Sequence, residues 1–208
     1  MTTLSDLQNL NINVEVAAPE EYVDGNMPSL VPEGRYDLLI TDWDVSRNYE
    51  TKQPDGKAFI LQTQVLGGPH DGKAVRNLRV WTATFERNGA TVSGLGDLIR
   101  AIDDTARFTT IQDAAALIQK ATDLKTPIQV QLKWEAFDTD YYNEKGGGSM
   151  VNKSPEHKLL RKESTVKGMQ NFRQGSDGSY LPEVQGPSGN TIEAKVVINA
   201  YTPSSRRR

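Results

Sequence analysis

Apolar and polar residues alternate with a period of two in several separated runs of this chain, the spacing of half-buried strands. The first run, Gly34 to Ile40, follows Pro32, which cannot donate to a ladder and so suits a strand start. A polar excursion through Asn48, Lys52, Pro54, Asp55 and Gly56 supplies turn residues. The second run, Ala58 to Leu66, sets Phe59, Leu61, Thr63 and Val65 on one face. A turn cluster from Gly67 to Lys73 leads to the third, Ala74 to Thr82, in which Leu78 and Val80 point one way and Arg79 and Trp81 the other. The period then changes. Ser93 is suited to cap a helix carrying Leu95, Leu98, Ile99 and Ile102 at helical spacing. Thr110 to Asp113 resembles a capping box and opens a second helix, with Ile111, Ala114, Leu117, Ile118 and Ala121 on one side. After Pro127 the strand period returns, Ile128, Val130, Leu132, Trp134 and Ala136 alternating with polar neighbours. A last strand is expected from Ile192 to Tyr201, with Ile192, Ala194, Val196, Ile198 and Ala200 on one side.

This pattern predicts a mainly β chain with a helical insertion (α+β). Residues 1–30 lack a sustained period and are read as an acidic, loosely held arm. Residues 31–202 are read as one domain, and 203–208 as a disordered basic tail. Within the domain, 138–190 is rich in Gly, Ser, Asn and Lys and is expected to be a long loop between strands 4 and 5, with a short helix around Pro155 to Arg161. No internal repeat stands out.

Composition narrows the classes. The 208 residues include no cysteine, which removes disulfide frameworks, zinc ribbons and thiol nucleophiles together. No apolar run approaches the roughly 20 residues of a membrane span, and mean hydropathy is −0.56. The start of the chain, with Asp6 and Glu15 and no basic segment, does not read as a signal peptide. The expected setting is the cytoplasm. Net charge is −3, but it is unevenly spread: six acids and no Lys or Arg precede Arg35. From Lys145 onward, eleven basic residues face five acidic ones. An acidic head on a basic rear half raises a nucleic-acid reading, although any single cluster also reads as a solvated face.

Three strands, a helical connection and two more strands is the order of the OB-fold, a five-stranded Greek-key barrel that binds oligonucleotides over strands 2 and 3. Other α+β domains share that order. Pro32-Glu33-Gly34-Arg35-Tyr36, then Val65-Leu66-Gly67-Gly68-Pro69, then Asp71-Gly72-Lys73 and an Arg-containing strand resemble the opening of phage-encoded single-stranded DNA-binding proteins. The resemblance covers about residues 31–82 and returns weakly in the last strand. It implies an OB-fold-like barrel, with helices between strands 3 and 4, acting in DNA replication or recombination in a phage-infected bacterium. Single-stranded DNA would be the partner, with phage replication or recombination proteins beside it. Many such proteins end in an acidic tail, whereas this chain ends Ser205-Arg206-Arg207-Arg208 and carries its acids in front.

The chemistry-bearing residues fit a binder. Basic residues neutralise phosphates, and aromatics between them stack bases. Lys57, Arg76, Arg79, Trp81 and Lys133 are the expected DNA contacts on the strands. Tyr141, Tyr142, Lys153, Lys158, Arg161, Lys162, Lys167, Phe172, Arg173 and Tyr180 are the expected contacts on the long loop, where the aromatics equally suit packing onto the barrel. Trp134, in register with Ile128, Val130 and Leu132, belongs to the core; Trp43 fits either side.

Enzyme motifs are mostly absent: Gly94-Leu95-Gly96 lacks the third glycine and the preceding strand of a dinucleotide loop, and no Gly-Lys-Ser/Thr occurs. His70, expected to face solvent in a turn, and His157 stand apart from other ligands. No enzyme activity, cofactor or metal is expected. The alternatives are a virion structural or assembly protein using the same barrel for protein contacts and, with Asp37, Asp42 and Asp44, a metal-dependent nuclease.

Overall fold

The computed structural model describes residues 30–48, 50–87, 90–148, 154–176 and 178–206. The expected arm over 1–29, Lys153, Arg207 and Arg208 lie outside the described residues. The protein is mainly β, with antiparallel sheets and a few helices. Among the described residues, no helix is long and apolar enough to cross a membrane.

The strands are β1 (Gly34–Arg47), β2 (Pro54–Val65), β3 (Ala74–Trp81), β4 (Thr84–Arg87), β5 (Ala90–Ser93), β6 (Ile128–Phe137), β7 (Thr165–Lys167), β8 (Phe172–Gln174), β9 (Tyr180–Gln185), β10 (Thr191–Glu193) and β11 (Lys195–Pro203). The main sheet runs β11-β6-β1-β2-β3, with β7 added to β6. β1 is shared along its length: Gly34 to Leu38 pair with β6, and Leu38 to Arg47 with β2. The edges β3 and β11 approach within 8 Å between Cα atoms, but among the described residues no ladder joins them, so the sheet is not a closed barrel.

Bulges explain which side chains reach the core. An extra residue at Thr41 shifts the register between Ile40 and Asp42. It lets Leu38 and Ile40, then Trp43, all point inward. An extra residue in β3, where Asn77 adopts φ 56°, does the same for Val75, then Leu78 and Val80. The inner face is completed by Phe59, Leu61, Ile128, Val130 and Leu132. Helices α1 (Gly94–Ile102) and α2 (Ile111–Asp123) cover it with Leu98, Ile99, Ala114 and Ile118. Each such Val, Leu, Ile or Phe side chain contributes about 1.5–3 kcal/mol by leaving water. Both helix starts follow the sequence: Ser93 accepts the Gly96 N–H at 2.8 Å, and Thr110 and Asp113 form the capping box. Trp43 resolves to the core, its indole N–H donating to Gln119 of α2 at 2.9 Å.

Three expectations are corrected. The segment 138–190 is not a loop. It holds helices α3 (Thr139–Glu144) and α4 (Pro155–Glu163), strand β7, and most of a second sheet ordered β10-β9-β8. Met169, Phe172 and Val184 carry the core into this unit. The expected last strand is divided at Ala194, β10 joining β9 and β11 joining β6. The residues from Pro203 to Arg206 are docked rather than loose: Pro203 ends β11, Ser204 is buried, and Arg206 Nε sits 3.0 Å from Asp37.

Candidate nucleic-acid interface

The outward face of β3 carries the strongest combination. The bulge leaves both Arg76 and Asn77 exposed, after which alternation sends Arg79 and Trp81 outward. Trp81 is 52% exposed. Arg79 holds its guanidinium carbon 5.3 Å from the indole centroid, a cation–π arrangement that fixes both flexible groups on one surface. Across the sheet, Arg79 lies beside Ile60, and Ile60 beside Asp44, whose carboxylate pairs with Arg47 at 3.6 Å. Asn77 and Gln62 join their side chains across the strands, Gln62 donating to Asn77 at 3.1 Å. Arg76 and Arg79 have no ion-pair partner among the described residues.

Lys57 borders this face: its carbonyl accepts the Thr82 N–H at 2.9 Å. Its ammonium lies 3.8 Å from Asp55. The Ser46 hydroxyl, followed by the Lys57 N–H, holds the Asp55 carboxyl below its usual range, so Asp55 stays charged and offsets part of the lysine.

Lys133 is exposed and pairs with Val197 of β11. It sits in β6 next to Leu132, which pairs with Gly34 at the start of β1. Trp81 pairs with Ala58, whose N–H meets Ser46 near the end of β1.

Of the expected aromatics of the 138–190 segment, Tyr142, Phe172 and Tyr180 pack inward. Tyr142 is 1% exposed, its ring 5.3 Å from that of Phe137 and closed in by Gly147. Phe172 is buried opposite Val184. Tyr180 is half-buried against the core, and its carbonyl accepts the Leu30 N–H at 2.8 Å. Tyr141 is half-buried, with the Lys145 ammonium 5.7 Å from its ring. Two of the expected cations are paired, Lys167 with Glu135 at 2.9 Å and Arg173 with Glu183 at 3.0 Å. Lys158, Arg161 and Lys162 are exposed together on α4.

His70 is half-buried rather than open, edge-on to Tyr36 at 6.0 Å between centroids. The carboxylates weighed for a metal are dispersed: Asp37 faces Arg206, Asp42 accepts the Trp43 N–H, and Asp44 accepts the Val45 N–H. Among the described residues, no three His, Asp or Glu side chains are grouped to hold an ion. Sequence reasoning missed the Gln62–Asn77 clasp. Asparagine within an otherwise alternating strand was its signal, because Asn tolerates the left-handed backbone of a bulge. Compared with family models, curated proteins and solved structures, the chain matches none.

Proposed function

We propose that the protein is a non-catalytic, sequence-tolerant binder of single-stranded DNA, working on an open OB-like barrel in phage DNA replication or recombination. The observation that carries this reading is the exposed Trp81 with Arg79 stacked beside it and Arg76 one turn of the bulge away. Trp81 is the one tryptophan whose ring lies open to solvent among the described residues, with arginine rather than apolar neighbours on its face. Any base can stack on it, and the flanking arginines attract phosphate. The strand order β11-β6-β1-β2-β3 and the near approach of β3 to β11 support an OB-like arrangement, whose binding face runs over β2 and β3. With Tyr142 and Phe172 packed inside, the segment 138–190 adds charge to this reading but little stacking surface.

A fluorescence-anisotropy titration of labelled oligo-dT, repeated with its duplex, tests it. Tighter binding of the single strand is expected, with log affinity falling against log salt at a slope near −0.7 per phosphate contacted. Equal affinity for duplex, or no salt dependence, would refute it.

A further inference from the structure

Helix α4 presents a surface that nothing in the described structure covers. None of its residues is buried, and Leu159 is 57% exposed. At the helical period, Lys158, Arg161 and Lys162 stand at i, i+3 and i+4 and form one stripe. Leu159 flanks that stripe, while the half-buried Leu160 lies on the opposite side. None of the three cations has an ion pair among the described residues. Three free cations around a bare leucine fit a partner with acids around an apolar group.

The chain contains such a segment, Glu20-Glu21-Tyr22-Val23-Asp24. The anchoring of Leu30 limits where those residues can reach. Leu30 is tied to Tyr180, the Val31 carbonyl accepts the Trp134 indole N–H at 2.8 Å, and the Glu33 N–H meets Met169 sulfur at 3.1 Å. The far end of α4 is close to this point, since the Ser164 carbonyl that follows it accepts the Asp138 N–H at 2.8 Å. Trp134 to Asp138 is roughly 13 Å along β6. Back from Leu30, an extended chain spans at most about 20 Å to Asp24 and about 34 Å to Glu20. That tether covers the distance to α4.

We propose that residues 20–24 dock on the Lys158, Leu159, Arg161 and Lys162 stripe of α4 in the same molecule. Their acids oppose the three cations, and Tyr22 and Val23 cover Leu159. The short tether keeps the effective concentration high, so modest contacts suffice.

The test is carbodiimide coupling, which joins a carboxylate to an amine only when they touch. It is applied to the dilute full-length chain, an equimolar mixture of ordinary and ¹⁵N-labelled copies, without nucleic acid, so its result does not depend on the DNA reading. Mass spectrometry is expected to find Glu20, Glu21 or Asp24 joined to Lys158 or Lys162 within single copies. Arg161→Glu and Leu159→Ser, both exposed changes that leave the fold intact, should each lower that yield several-fold, as should high salt. Coupling chiefly to Lys57 or Lys133, coupling between differently labelled copies, or none at α4 would overturn the proposal.

Discussion

Trp81 and Trp134 are the same residue type in opposite situations, and their substitution separates binding from folding. Trp81 is 52% exposed, with the Arg79 guanidinium over its ring. Trp81→Ala should weaken oligo-dT binding by about 1–3 kcal/mol while thermal melting stays nearly unchanged. Trp134 is 7% exposed and donates to the Val31 carbonyl. Trp134→Ala should cost about 3–5 kcal/mol of stability in a denaturant melt. Asp138 makes a different case. It is fully buried, with Oδ1 accepting the Tyr141 N–H and Oδ2 the Ser188 N–H, each at 2.9 Å. Burial pushes its pKa up, but these hydrogen bonds outweigh that and leave it below the ordinary value of 3.8. The folded state therefore binds the proton more weakly than the unfolded chain. Its stabilisation is present above the unfolded pKa and is lost as pH falls through the lower folded one. Asp138→Asn, which turns an amide donor toward one of those N–H groups, should cost about 1–3 kcal/mol near neutrality. Melts of the variant should vary less than wild type between about pH 5 and 3.

Among the elements, those built on sequence periodicity were legible and those built on turns were not. Both capped helices and the strands β2, β3 and β6 follow directly from apolar spacing and cap residues, and Arg79 and Trp81 on the outer face follow with them. The unit holding β8 to β10 escaped because its strands are short and its order comes from glycine turns. Two of these turns are alike. In each, the first glycine N–H bonds a carbonyl four residues on, Ser179 for Gly175 and Asn190 for Gly186. The N–H of Gly178 and of Gly189 returns to that first glycine. The repeat is visible in sequence only as Gly-x-x-Gly followed by Ser or Asn, too little to distinguish from linker composition. Gly178 and Gly189 have φ of 79° and 88°, where an L side chain is strained. Gly189→Ala should therefore lower stability by about 1–2 kcal/mol, read as a shift in melting temperature. The aromatics Tyr142 and Phe172 were misplaced for the same reason: without visible elements around them, nothing marked them as interior.

At the scale of the molecule, the charge asymmetry and the shared strand β1 impose the main constraints. In the sequence the acids cluster before Arg35 and the basic excess follows Lys145, and Leu30 is held at Tyr180. β1 also sets the order in which the protein can be completed. Its second half pairs with β2, its neighbour in sequence, but Asp37 in its first half meets Gln129, 92 residues later. Closing so long a loop costs entropy before any contact repays it, which places folding in the slow range of non-local β proteins, about milliseconds to seconds. During synthesis the β1–β2 hairpin is available early, whereas the outer backbone groups of Gly34 to Leu38 stay unpaired until Ile128 to Leu132 have been made. A nascent chain thus carries an open strand edge through much of its translation. Arg35 and Asp37 place opposite charges along that edge, which discourages another growing chain from adding to it before β6 arrives.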